Sequence, residues 1–465
     1  MSEDLLLSDA AWIAGTVRSG EVSARAVAEA ALDRISNLDP TYNSFTEVIS
    51  EQALIDADLV DNVVRNGGDP GPLAGVPFAV KNLFDIAGVT TLAGSKMYRE
   101  NPPATKDATA VSRLRQAGGV LIGALNMSEF AYGYTNENTH YGPARNPHDG
   151  ARVSGGSSGG SGAAVAGGLV PLSLGSDTNG SIRLPAALCG VFGFKPTYGA
   201  LSRAGTALFA SSFDHIGPFA RSVQDIATAY DTIRGPDPTD PVCHGGSASP
   251  LLETLDRGID GLRIAVADDY FRENGTTAAF AAVEKVADAL GANQTVTIPE
   301  ARRARGAAFV ITHCEGAVQH RDDLRDHLDE FDPTTRPGFM TGSLLPGNWY
   351  VRAQKFRSWY RKQVLTLFED FDLILAPATP FSATKIGQKS MTLDGQDVPV
   401  MANLGIYAQP LSFIGLPILC APVHGIGAMP HGVQIIAAPN NDALALRAGA
   451  YLEASGVCSA PVAAA

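Results

Sequence analysis

Charge is scarce in this 465-residue chain: charged residues make up 18%, against about 25% in an ordinary domain. Positive charge is scarcer still, with 35 Lys and Arg facing 48 Asp and Glu for a net charge of −13. A nucleic-acid binder needs a basic surface to displace counterions from phosphates, so the charge balance argues against direct contact with DNA or RNA. It argues equally against attraction to an anionic membrane surface. The five cysteines, at 189, 243, 314, 420 and 458, form no CxxC pair and no zinc spacing, so they read as reduced thiols in a cytosol. No apolar run approaches the roughly 18 residues a membrane helix needs; the nearest, 411–423, is broken by Gly415 and Pro417. Residues 1–8 are acidic and lack the basic lead of a signal peptide. The nine histidines follow no catalytic order, and His140 and His215 read as hydrogen-bonded structural residues. A cytoplasmic protein without metal or cofactor is expected.

Hydrophobic residues are 45% of the chain, enough for a large buried core. Ser23 is placed to cap a helix that turns Val27, Ala30, Ala31 and Ile35 to one side, with Pro40 just beyond its end. After the turn-rich stretch 66–72, short dense apolar segments at 76–80, 120–122, 170–174 and 371–376 read as buried strands. Helical stretches such as 108–117, stopped by Gly118-Gly119, separate them. Strand-helix alternation predicts an α/β sheet covered on both faces. Beyond Pro236 the texture turns to Pro, Asp, Gly and Ser, and a βαβ unit follows: strand 262–267, helix 277–290, strand 296–298. The charged stretch 302–330 reads as a solvated helical layer. The layout expected is one domain over 1–465, with a core at about 66–235, a peripheral segment at about 240–365 and a return to the core over 366–465.

The 49 glycines are clustered, most densely in Ser154-Gly-Gly-Ser157-Ser158-Gly-Gly-Ser-Gly162. A flexible linker is the bland reading, but the run lies between ordered-looking segments. A phosphate loop would need a closing Gly-Lys-Ser/Thr, which is missing. A nucleophile elbow matches G-x-S-x-G in two registers, yet residues 146–150 before it are turn chemistry rather than a strand. A fourth reading takes Ser181, in Gly175-Ser-Asp177-Thr-Asn-Gly-Ser181-Ile-Arg183, as a serine after a turn whose backbone N–H groups converge. Lys81 ends an apolar segment, where desolvation would lower its pKa towards that of a general base. Asp177 and Arg183 read as a structural ion pair.

Lys81, Ser157 and Ser181 share a frame in a known family. The stretches Gly-Val-Pro-Phe-Ala-Val-Lys81-Asn, Gly-Gly-Ser157-Ser-Gly-Gly-Ser, Gly-Ser-Asp177-Thr-Asn-Gly-Ser181-Ile-Arg183-Leu-Pro, Cys189-Gly-Val-Phe-Gly-Phe-Lys-Pro-Thr and Gly432-Val-Gln434-Ile-Ile resemble, in order, the amidase signature family. The resemblance implies that family's fold, a large mixed sheet between helices, and a triad in which Ser181 is the nucleophile, Ser157 a relay serine after a cis peptide and Lys81 the base. It implies an oxyanion hole of backbone N–H groups at Thr178, Asn179, Gly180 and Ser181. Most of the family has Gly where this chain has Asn179; Asn tolerates left-handed backbone, so the turn should survive. Asp-Thr-Asn-Gly-Ser, together with Leu125-Asn-Met-Ser-Glu-Phe-Ala-Tyr132-Gly-Tyr134 and Ser212-Phe-Asp214-His-Ile-Gly-Pro, resembles the branch of carboxybiuret hydrolases.

On that resemblance the expected reaction is hydrolysis of a C–N amide bond in a small carboxylated urea. The alternatives are the A component of an aspartyl/glutamyl-tRNA amidotransferase, another small-amide amidase acting on allophanate or guanylurea, and a scaffold that has lost the chemistry. Tyr132, Tyr134 and Asn136 lie where the family places its pocket, Asn179 would add an amide, and Arg336 and Arg352, in the divergent segment, are the expected carboxylate partners. The resemblance also implies a small helical partner subunit; the assembly expected is a homodimer or a heterotetramer.

Overall fold

The computed structural model describes residues 5–247, 249–393 and 395–463. Fifteen strands occur among them: β1 Phe45–Val48, β2 Pro77–Lys81, β3 Val120–Leu125, β4 Arg145–Asn146, β5 Asp149–Val153, β6 Leu172–Asp177, β7 Phe192–Lys195, β8 His215–Ala220, β9 Ile264–Ala267, β10 Gln294–Val296, β11 Leu373–Pro377, β12 Ser390–Leu393, β13 Gln396–Pro399, β14 Ile418–Val423 and β15 His431–Ala437. Eleven of these make one mixed sheet in the order β1-β3-β2-β6-β8-β7-β14-β15-β11-β9-β10. β4 pairs with β5, and β12 with β13, as separate antiparallel hairpins.

Both faces of this sheet are buried, as near-continuous apolar strands require. Along β11, Leu373 and Leu375 join one hydrophobic cluster while Ile374 and Ala376 join another. β15 divides in the same way, Val433, Ile435 and Ala437 against Ile436. Successive side chains of a strand point to opposite faces, so at β11 and β15 the two clusters lie on opposite faces of the sheet, while along β2 and β3 the first cluster takes consecutive residues and covers both faces. β9 and β10, from the segment read as peripheral, extend the same sheet beyond β11.

Sequence reading set the strand ends one to three residues early, and the difference matters for function: β2 ends on Lys81 and β6 ends on Asp177. The last strand of the βαβ unit ends at Val296, not 298. Ser23 caps its helix by accepting from the Ala26 N–H at 3.0 Å. That helix, Ala24–Tyr42, runs through Pro40 rather than ending before it, and Asn43 closes it in a left-handed conformation at φ +53°. Proline so close to the C-terminus costs one backbone hydrogen bond and leaves little helix to kink. No described helix is long and apolar enough to cross a membrane.

Candidate active site

The Gly/Ser run is packed, not flexible. Its second half forms the helix Gly159–Ala166, buried throughout. A Cβ at Gly160 would stand 2.5 Å from the Ser44 carbonyl oxygen and 2.6 Å from the Asn126 backbone, so the glycine is there for close approach. The preceding loop carries a cis peptide between Gly156 and Ser157, and the Ser157 carbonyl accepts from the Ser128 N–H at 3.1 Å. Ser158 ties the loop to β6: its hydroxyl donates to the Ser176 carbonyl at 3.1 Å and accepts from the Ser176 N–H at 3.3 Å.

Lys81 enters this loop from the end of β2. It is wholly buried, with Nζ 2.7 Å from Ser157 Oγ and 2.8 Å from Ser176 Oγ. No carboxylate touches it among the described residues. Burial lowers its pKa to about 7, against the charges of Asp214 and Asp177, which act to raise it. A large neutral fraction at neutral pH follows. Ser176, a second hydroxyl on the amine, was missed in the sequence; five residues before Ser181 and at the edge of the Gly-Ser-Asp177 match, it had only its place on β6, next to Asp177, to mark it.

Asp177, at the end of β6, organises the turn that carries Ser181. Its carboxylate takes a forked pair of bonds from Arg183, Nε to Oδ2 at 2.9 Å and Nη2 to Oδ1 at 3.0 Å. It also accepts from the Gly180 N–H at 2.7 Å and the Ile182 N–H at 3.2 Å. Burial acts to raise its pKa, but the Arg183 charge and hydrogen bonds win and hold the carboxyl well below the usual range. Arg183 in turn reaches Gln434 Oε1 at 2.6 Å and the Ser412 hydroxyl, tying the turn to β15. Removing one member of a buried pair leaves an uncompensated charge and costs about 3–5 kcal/mol. Arg183→Met is therefore expected to lower the urea unfolding midpoint by a corresponding amount, and a loss below about 1 kcal/mol would mean that the pair does not hold the turn.

Two expectations for this turn need correction. The Gly180 N–H is given to Asp177, so it is not free for an oxyanion; among the described residues the N–H groups of Thr178, Asn179 and Ser181 are the ones without a protein acceptor. The left-handed residue is Gly180, at φ +121°, not Asn179. A Cβ on Gly180 would come within 2.4 Å of Leu184 Cδ1, so tolerance of that geometry does not explain Asn179. Thr178 donates its hydroxyl to Asp214 at 2.6 Å, and burial pushes the Asp214 carboxyl up to about 6 against that bond and two backbone donors.

Ser181, Thr178 and Asn179 line a cavity of about 490 Å³. The Ser181 hydroxyl makes no hydrogen bond among the described residues, so the link from Ser181 to Ser157 is the one contact of the implied triad not formed. Tyr132 and Tyr134 line the cavity, and Tyr132 Oη lies 3.0 Å from His313 Nε2. Asn136 does not; it is buried at φ +56° behind the cis-peptide loop, its backbone N 2.8 Å from where a Gly156 Cβ would stand. Arg336 and Arg352 are also elsewhere. Arg336 begins a helix and pairs with Asp329 at 3.3 Å, and Arg352 is exposed on the helix Gly347–Asp370.

The cavity takes its cations from the stretch read as a solvated layer. The helix Ala301–Gln319 lays Arg302, Arg305, Gly306, Phe309, Thr312 and His313 along the cavity wall. Their spacing of one, three and four residues is one face of a helix, a pattern that the density of charge in 302–330 hid. Arg302 is held by Glu273 at 2.5 Å. Arg305 donates Nε to Gln409 Oε1 at 3.1 Å and Nη2 to the Ala402 carbonyl, and has no carboxylate partner among the described residues. His313 is kept neutral by burial, its Nδ1 donating to the Phe309 carbonyl at 2.7 Å. His140 and His215 hold structure instead: His140 faces the buried Glu129 at 3.0 Å, and His215 lies against the backbone carbonyls of Phe213 and Asp177.

The chain is 53% identical over 443 residues to AtzE, a component of 1-carboxybiuret hydrolase from Pseudomonas sp. (strain ADP), covering 95% of this chain and 97% of that protein. It is 39% identical over 454 residues to the A component of glutamyl-tRNA(Gln) amidotransferase from Chromohalobacter salexigens, covering 91% and 92%. A solved structure with a TM-score of 0.96 and 52% identity, matched over 97% of this chain and 99% of that one, is described as a vestigial protein complex that reveals the evolutionary origins of an s-triazine catabolic enzyme. The amidase family model matches residues 26–446, and the chain belongs to that family of hydrolases that cleave carbon–nitrogen amide bonds.

Proposed function

We propose that this amidase hydrolyses a small carboxylated urea, 1-carboxybiuret or a near relative, through an acyl-enzyme on Ser181. The observation that carries the chemistry is Lys81, buried without a carboxylate contact among the described residues and hydrogen-bonded to Ser157 behind the cavity that Ser181 lines. Ser181 Oγ attacks the substrate carbonyl carbon while its proton passes to Ser157 Oγ and the Ser157 proton passes to neutral Lys81 Nζ. The Ser181–Ser157 bond forms as substrate enters, since catalytic hydrogen bonds are often unmade in the empty site. The N–H groups of Thr178, Asn179 and Ser181 receive the oxyanion. Collapse breaks the C–N bond, and the proton returns through Ser157 to the leaving nitrogen. Water then enters by the same route and releases the acid and Ser181.

The carboxylated substrate is supported by Arg305, which has donors to spare and no acidic partner among the described residues. A charged hydrogen bond contributes about 1.5–3 kcal/mol. Arg305→Met should therefore lower kcat/KM for the carboxylated urea about 10- to 100-fold relative to its uncharged parent. Arg336→Gln and Arg352→Gln should leave that ratio unchanged. Steady-state assays with both ureas and with glutamine decide the matter. A wild-type preference for glutamine, a long acyl amide or the uncharged parent would remove the carboxylated substrate and leave the amidase. Both relatives named above are components of larger enzymes, which supports a partner subunit for this chain; the small helical one that the family resemblance implies is to be sought by co-purification.

A further inference from the structure

One buried polar atom in the cavity wall has no hydrogen-bond partner among the described residues. Asn179 is 7% exposed, and its Nδ2 donates to Thr312 Oγ1 at 3.0 Å. The Thr312 hydroxyl spends its own proton on the Ala308 carbonyl, 2.8 Å away one helical turn back. It therefore offers only lone pairs to Asn179, and the side-chain amide can present only its NH₂ end to it. That fixes the opposite end. Asn179 Oδ1 is left buried and without a partner among the described residues, two residues from Ser181 in the wall of the same cavity. Buried acceptors are paired in the great majority of cases, and an unpaired one at a cavity asks for a donor from outside. The backbone of Asn179 does not need this side chain, because the left-handed position is Gly180.

We propose that Asn179 Oδ1 accepts an N–H of the substrate beside the scissile carbonyl, and that Thr312 is the positioning residue that aims it. The pair then selects acyl ureas, whose carbonyl is flanked by N–H on both sides, over amides whose carbonyl carries carbon or an N-alkyl group there. This rests on Ser181 as the nucleophile, which also fixes where the carbonyl must sit. It does not depend on Arg305, which would read the carboxylate and not the N–H.

The test is a ratio of kcat/KM for a carboxylated urea bearing the central N–H to that for its N-methyl counterpart, in wild type and variants. A loss common to both substrates cancels in this ratio, including any damage to the oxyanion turn. Against the intrinsic reactivity of the two compounds, wild type should favour the N–H substrate about 10- to 100-fold, since the analogue leaves a buried acceptor unpaired. Asn179→Gly should abolish the preference. Thr312→Val, which removes the lone pairs that aim the amide, should reduce it several-fold, and Thr312→Ser should restore it. If Asn179→Gly is too weak to assay, the Val and Ser variants at 312 still decide. A preference that survives Asn179→Gly, one that Thr312→Val leaves undiminished, or a wild type with none overturns the proposal. The position of a fluorophosphonate adduct in wild type tests the underlying reading separately: an adduct away from Ser181 would remove the nucleophile, and with it this assignment.

Discussion

Ser181→Ala is expected to reduce kcat by about 10⁶-fold, the loss seen when a nucleophile is removed from a unit that acts together. At 1.36 kcal/mol per tenfold this is about 8 kcal/mol of barrier. The fold should survive, because the Ser181 hydroxyl makes no hydrogen bond among the described residues and its loss leaves no partner stranded. Its neighbours are differently placed. Ser157 Oγ lies against Lys81, and Ser158 is held at both ends by the Ser176 backbone, so neither presents a free hydroxyl to the cavity. Mass spectrometry of protein labelled with a fluorophosphonate should find the adduct on Ser181, and none in the Ser181→Ala variant. An adduct on Ser157 or Ser158 would restore the elbow reading. Circular dichroism and the urea midpoint of Ser181→Ala should match wild type.

What the sequence made legible follows from how local each signal is. Buried strands announce themselves as short apolar runs, so most of the sheet could be read off, and Lys81, Ser157 and Ser181 stood out as candidates because their motifs are contiguous. The hydrogen bonds within the turn were not. That Asp177 takes the Gly180 N–H depends on a side chain folding back three residues, which a string of letters does not record. Arg305 was hidden for a different reason. It lies 124 residues beyond Ser181 on the helix Ala301–Gln319, whose other face is built of small buried residues, Ala301, Ala304 and Ala308. In sequence its charge merges with a run of neighbours that face solvent, and only the packing of the helix shows which of them face the cavity. The choice of Arg336 and Arg352 rested on their lying in a divergent segment, which is no statement about direction.

Lys81→Arg is expected to be nearly inactive, and the reason lies in its charge rather than its size. Arginine keeps its proton at every accessible pH, whereas burial draws Lys81 down to about 7. A base works only in its neutral form, so wild-type kcat/KM should be low in acid, rise through one ionisation near pH 7 and level above it. The rise belongs to the coupled group and not to the lysine alone. Asp177 stays ionised throughout, but Asp214, pushed up to about 6, is ionised before Lys81 gives up its proton, and its negative charge acts to raise the lysine pKa. Asp214→Asn removes that charge and should move the rise to lower pH, the direction opposite to any shift caused by better hydration of Lys81. Lys195, also drawn to about 7 by burial and the nearby Arg183 charge, is the competing source of such a limb. Its Nζ, however, donates to the Leu416 carbonyl and meets His215 at 3.4 Å, and no hydroxyl is hydrogen-bonded to it among the described residues. A pH series of kcat/KM on wild type, Asp214→Asn and Lys81→Arg separates these cases. Substantial activity in Lys81→Arg, or a rise that Asp214→Asn moves to higher pH, would take Lys81 out of the role of base.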